Sequence, residues 1–392
     1  MLKTKVYIFV LSILCLITDM SLAATAVFNV VKLGAKPDAK TDSTQAFVKA
    51  WNGACGSVNS AAIYVPSGRY LIKNLLFKGP CKNTNIIIRI DGTLVAPSNY
   101  NVIGNSENWV DFQWVTGVSI YGGTLDGKGT ALWACKLAKK KCPEGATSLS
   151  FTNSKNIVIN GLKSLNSQMF HIVINGCENV YIKGLMITAS GNSPNTDGIH
   201  VQLSTGVTIM SSGIKTGDDC ISIGPGTRNL WIEHIACGPG HGISIGSLAK
   251  DLDEQGVQNV TVKTVVFTGT QNGIRIKAWG RPSHGFVKGV LFQHVVMKNV
   301  QNPVVIDQNY CPRNEGCPNQ VSGIKISQIT YQDIQGTSAT QVAVKFDCSN
   351  KNPCQGIKLE NVKLTYRNQP AVSSCANADG SAHGVVEPAG CF

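Results

Sequence analysis

The chain has 392 residues, a formal net charge of +12, and only 15% charged and 7% aromatic residues. Its lysines and arginines are scattered and its aromatics few, which excludes the basic stripe or stacked-base platform of a nucleic-acid module. After the N-terminus no run of about 18 apolar residues could cross a bilayer, so an excess of positive charge points to an acidic polysaccharide, an anionic surface or simple solubility.

In chain order, Lys3 and Lys5 precede an apolar run from Val6 to Ile17, and small residues follow at Ala23, Ala24 and Ala26. This pattern predicts a signal peptide over residues 1–23 and a secreted mature chain over 24–392. Ser43 to Trp51 is the one segment with helical periodicity, with Ser43 as the cap, and it is expected to cover the open N-terminal end of the fold.

Fourteen cysteines, with Cys15 in the leader, read as disulfides in an oxidising compartment. Local pairs suggest themselves: Cys55 with Cys81, Cys135 with Cys142, Cys220 with Cys237, Cys311 with Cys317, Cys348 with Cys354 and Cys375 with Cys391. Cys177 is then left buried and free, although spacing alone leaves the connectivity open. No pair has zinc-ligand spacing, and no metal or cofactor is expected.

From Asn85 onward, short β-branched bursts follow a small or amide residue. They begin after Asn85, Gly117, Asn156, Asn179, Gly206, Asn229, Asn259, Gly289, Gly323 and Gly356. From Asn156 onward the spacing is too regular for chance and too variable for leucine-rich or helical repeats, and each interval holds a second burst, such as Ile199-His200-Val201 or Ile243-Ser244-Ile245. Alternating apolar and polar residues within each burst predict strands with one face inward. The fold expected is all-β, a single-stranded right-handed parallel β-helix of about ten coils, without internal domain boundaries.

Aligning the second bursts sets Asp197-Gly198-Ile199-His200, Asp219-Cys220-Ile221-Ser222, His241-Gly242-Ile243-Ser244 and Asn272-Gly273-Ile274-Arg275 in one register. Neighbouring strands lie about 4.8 Å apart. Asp197, Asp219 and His241 should therefore form a column, with Asp218 beside it and Arg275 and Lys277 projecting one coil further. An Asp-Asp dipeptide after a glycine is by itself an ordinary solvated turn. Three stacked carboxylates are not, because their repulsion opposes folding unless function retains it.

At these positions the chain resembles the polygalacturonases, glycoside hydrolase family 28. Asn195-Thr196-Asp197, Gly217-Asp218-Asp219, Gly240-His241-Gly242 and Arg275-Ile276-Lys277 match that family's four signature motifs in order and approximate spacing. The resemblance implies hydrolysis of α-1,4 bonds in de-esterified pectin with inversion. It implies Asp218 as general acid, Asp197 and Asp219 as the pair that activates water, and His241 as a residue tuning the carboxylates. Arg275 and Lys277 match the site for the galacturonate carboxylate, with Asn195 and Tyr310 as supports. The short N-terminus is most similar to the exo-acting pollen group of plants.

Polygalacturonate is thus the expected partner, handled in the cell wall by a monomer that engages neither nucleic acid nor membrane. Endo action remains an alternative. A calcium-dependent pectate lyase on the same scaffold is a rival that the histidine and Arg-Ile-Lys motifs oppose, and a catalytically silent wall-binding protein is opposed by the intact aspartates. Asn259-Val260-Thr261 is the one N-glycosylation sequon of the mature chain.

Overall fold

The structure, a computed structural model, describes residues 25–392. The signal peptide expected over residues 1–23 lies outside the described residues. Each short burst forms a strand with one buried face: in Ile199–Gln202, Ile199 and Val201 are fully buried while His200 and Gln202 face outward. Such a strand cannot bury its apolar face alone, so successive coils stack in parallel and enclose a common core.

Eleven second-burst strands, from Leu75–Lys78 to Val372–Ala376, form one sheet in strict chain order. All the other strands among the described residues join an 18-stranded sheet. Pairing is parallel throughout except where Thr365 and Tyr366 meet Pro370 and Gln369. The chain is the expected right-handed parallel β-helix. Its interior is a set of aliphatic columns, with aromatic stacking near the N-terminal end where Phe112 and Phe151 lie 4.5 Å apart.

The amide residues that open the bursts have a backbone role. Asn156, Asn179, Asn229 and Asn259 all sit in the left-handed region, which Asn tolerates better than other side chains. The Asn179 side-chain amide donates to Asn156 Oδ1 at 3.2 Å, and that of Asn259 donates to Asn229 Oδ1 at 2.6 Å. Gly323 breaks the expected register. Strand pairing of Val290 with Ile329 and of Ile329 with Ile357 makes Gln328, with φ of 57°, the equivalent corner. Ile324–Ile326 and Ile329–Tyr331 are both alternating bursts, and only contact with the preceding coil selects between them.

A helix spans Thr44–Gly56, five residues beyond the expected end, and buries Phe47, Ala50 and Trp51 against the N-terminal coils. Ser43 does not cap it through its side chain. Asp42 Oδ1 instead accepts from the Thr44 amide at 3.0 Å, while Ser43 Oγ accepts from the Lys36 amide. All six expected disulfides form, and Cys177 is free and buried. No helix among the described residues is long and apolar enough to cross a membrane.

Candidate active site

The four aligned bursts are neighbours in the eleven-stranded sheet. Ile199 pairs with Ile221, Ile221 with Ile243, and Ile243 with Ile274, which is the register read from the sequence. Asp197, Asp219 and His241 each stand two residues before their strand, at the bend where the chain enters the sheet. Backbone bonds carry the ladder into these bends, Gly198 N–H to Asp219 O at 2.9 Å and Cys220 N–H to Gly242 O at 2.7 Å. Gly242 has a φ of +91°, and a Cβ there would lie 2.2 Å from Asn272 O. Glycine therefore lets the His241 bend press against the next coil.

Asn195, Asp218, His241, Arg275, Lys277 and Tyr310 line one cavity of about 560 Å³. Asp197 and Asp219 lie beneath it, 6% and 1% exposed. All eight residues expected from the sequence are thus gathered at one place. The ligating atoms of Asp218, Asp219 and His241 lie within 4.8 Å of one another, close enough to hold a cation. Asp219 is already neutralised by protein cations, however: Lys277 Nζ donates to its Oδ2 at 2.7 Å and Arg275 Nη2 to its Oδ1 at 2.9 Å.

Alternation does put Arg275 and Lys277 on the outer side of the sheet, but neither projects freely. Lys277 is only 7% exposed, and both cations lie over the Tyr310 ring, at 5.9 Å for Arg275 and 5.4 Å for Lys277. Ser244 Oγ donates to Asp219 Oδ1 at 2.9 Å and accepts from Arg275 Nε at 3.0 Å. Asp218 faces the cavity, where His241 Nδ1 lies 3.0 Å from its Oδ1. The Asp219 backbone amide donates to the same Asp218 oxygen at 2.9 Å.

The environments of the carboxylates differ sharply. Burial pushes the Asp197 carboxyl well above the usual range, and the charges of Asp218 and Asp219 add to that. Burial would also raise Asp219, but Lys277 and then Arg275 outweigh it and hold that carboxyl below its ordinary value. Burial therefore favours the protonated form of Asp197 while the cations favour the ionised form of Asp219, the kind of division that acid–base chemistry needs.

Gln271 and Glu315 also line the cavity, and sequence reasoning missed both. Gln271 could have been found one position before the aligned Asn272. Glu315 lies in the loop closed by Cys311 and Cys317, where no periodicity announces a position. Ser222 and Ser244 stood in the aligned register, and only their contacts show their part.

Residues 55–386 match the family described as Glycosyl hydrolases family 28. The chain is 64% identical over 375 residues to a polygalacturonase of Prunus persica, covering 95% of each chain. It is 42% identical over 369 residues to an exopolygalacturonase of Platanus acerifolia, covering 93% of this chain and 97% of that one. In architecture it is similar to the endo-xylogalacturonan hydrolase of Aspergillus tubingensis, with a TM-score of 0.79 at 22% identity, covering 92% of this chain and 100% of that one.

Proposed function

Because the chain belongs to glycosyl hydrolases family 28, we propose that its aspartate cluster hydrolyses the α-1,4-galacturonosyl bonds of de-esterified pectin, with inversion, from a chain end. The observation that carries the reading is the uneven charge of the cluster. Burial favours the protonated form of one carboxyl, Lys277 and Arg275 favour the ionised form of another, and a third opens onto the cavity.

Asp218 delivers the proton to the leaving oxygen, because it is the carboxyl that a bound sugar can reach. Asp197 and Asp219 orient and deprotonate the attacking water from the other side of the ring. Asp197 and Asp219 are buried neighbours that influence each other's ionisation, so a proton on the pair belongs to both and not to one residue. His241 acts through Asp218, its Nδ1 fixing the carboxyl's orientation. Arg275, Lys277 and Tyr310 form the site for a substrate carboxylate, with Asn195 at the rim. The substrate anion shares the cations with Asp219, which keeps charge balanced when the sugar enters.

Exo action is supported by the similarity to the Platanus acerifolia exopolygalacturonase over nearly the whole of both chains, and secretion into the cell wall by the six disulfides. Incubation with polygalacturonate tests the reading. Release of galacturonate monomer with no unsaturated product is expected, and an early ladder of oligomers would replace exo with endo action. Activity should persist in excess chelator. Inhibition reversed by calcium, with an ultraviolet-absorbing product, would overturn hydrolysis in favour of elimination.

A further inference from the structure

The outward positions of the site sheet repeat from coil to coil, and His200, Ser222, Ser244 and Arg275 occupy one of them in succession. Two serines of this column therefore stand in equivalent relation to the two buried aspartates. Ser244 Oγ meets the Asp219 carboxylate from the following coil at 2.9 Å, and Ser222 Oγ reaches the Asp197 carboxyl in the same way. Their other partners differ in kind. Arg275 Nε approaches Ser244 Oγ at 3.0 Å, and a guanidinium can only donate, so the hydroxyl proton of Ser244 is left for Asp219.

Ser222 has an imidazole as its neighbour instead, with His200 Nδ1 at 2.8 Å from its Oγ. His200 Nε2 lies 3.1 Å from Gln202 Oε1, a carbonyl oxygen that only accepts. Nε2 therefore carries the ring proton of the neutral imidazole, and Nδ1 is the acceptor. Burial lowers the imidazole to about 4; Gln202 and the Asp219 charge oppose this, and Lys250 and Lys277 add to it. The ring is also fixed in place. It stacks on Phe170 at 5.3 Å, and Gly224 presents no side chain to it, where a Cβ would stand 3.3 Å from Nε2.

We propose that His200 is a positioning residue for the reaction, acting on Asp197 through Ser222. With its only proton given to His200 Nδ1, Ser222 Oγ is an acceptor, and the Asp197 carboxyl that faces it does so as a donor. Ser244 donates to Asp219 and favours the opposite form. The column thus distinguishes two aspartates that the repeat would otherwise make alike. It leaves Asp219 as the member of the pair that takes the proton of the attacking water. A Ser222 hydroxyl released from His200 would turn to the Asp197 carboxylate and favour its ionised form, setting a second charge beside Asp219. The inference rests on the proposed hydrolysis and divides the work of activating water between its two carboxylates.

The test is a double-mutant cycle in the full-length enzyme, with polygalacturonate as substrate. His200→Phe keeps a planar ring against Phe170 but offers no acceptor, and Ser222→Ala removes the hydroxyl. Each should lower kcat about ten- to a hundredfold with KM within about twofold of wild type, as expected of a group that acts on the chemistry and not on binding. The double variant should be no worse than the worse single one, because the two residues act as a unit. His200→Gln, which restores an acceptor, should recover part of the loss, and it replaces His200→Phe in the comparison with Ser222→Ala if the phenylalanine variant folds poorly. Additive losses, a raised KM at unchanged kcat, or equal activity of His200→Phe and His200→Gln would overturn the assignment and make His200 a packing or sugar-contact residue, leaving the hydrolase reading intact. A wild-type enzyme that does not cleave polygalacturonate would overturn that reading and the assignment with it.

Discussion

Asp218→Asn keeps the shape of the side chain facing the cavity but removes the transferable proton. Turnover on polygalacturonate should fall by at least about a hundredfold, within the roughly 10²–10⁴ range of general acid catalysis, while binding measured by calorimetry is retained. A milder loss would contradict the acid role. Because burial favours the protonated form of Asp197, Asp197→Asn is the informative companion. If the acid were Asp197, it and not Asp218→Asn would abolish proton donation to substrates with poor leaving groups while sparing activated ones. Lys277→Ala removes one of the two cations on Asp219. Loss of a charge-assisted hydrogen bond to substrate should raise the apparent KM about ten to a hundredfold. The same change should move the acidic limb of the kcat/KM profile to higher pH, because Lys277 is the largest influence holding the Asp219 carboxyl down. An unchanged KM with a shifted acidic limb would show that Lys277 serves Asp219 alone.

The elements around the site are short and depend on stacking. Ile221–Ile223 has three residues, and it is held in place by pairing with Ile199–Val201 on one side and Ile243–Ile245 on the other. That pairing places Asp219 one strand spacing from Asp197 and from His241. The helix Thr44–Gly56 does a different job by closing the apolar end of the column. Trp51 lies 4.9 Å from Phe77 and 5.7 Å from Phe112, and its indole N–H donates to Lys78 O at 3.2 Å. Trp51→Ala should destabilise the chain by about 3–5 kcal/mol, the usual range for a buried aromatic. Chemical denaturation should show this loss. Unaltered kcat in the folded fraction is expected, since the helix packs on the first coils and the aspartates sit several coils away.

For the whole chain, the two buried carboxyls give stability an opposed dependence on pH. Asp197 has a raised folded value, so its contribution is complete below the ordinary carboxylate range and is lost as pH rises through that raised value. Asp219 has a depressed value, so its contribution is present above the ordinary range and is lost as pH falls through the depressed value. The fold should be most stable in the mildly acidic interval between them. Asp197→Asn imitates the protonated form and should raise Tm at neutral pH relative to wild type, with little change at acidic pH. Equal shifts at both would show that Asp197 carries no such proton. The formal charge of +12 should also draw an anionic polymer, so KM for polygalacturonate is expected to rise with salt as the Debye length shrinks from about 10 Å at 0.1 M to about 3 Å at 1 M.

The sequence by itself determined the solenoid and the register of the site and suggested the disulfide partners, because each is a local or periodic property. Alternating bursts specify which face is buried, cysteines near in sequence suggest their partners without excluding other pairings, and a repeat puts equivalent positions in one column. Only the tertiary structure decided which carboxyl favours its proton and which its charge, since burial of Asp197 and the cations on Asp219 are contacts between coils with no local signature. It likewise decided that Gln328 and not Gly323 turns its coil, and that at the N-cap Ser43 the side chain bonding the first helical amide is that of Asp42. Glu315 was brought to the cavity by a disulfide-closed loop. Loops carry no period, so this part of the cavity wall was invisible until the coils had stacked.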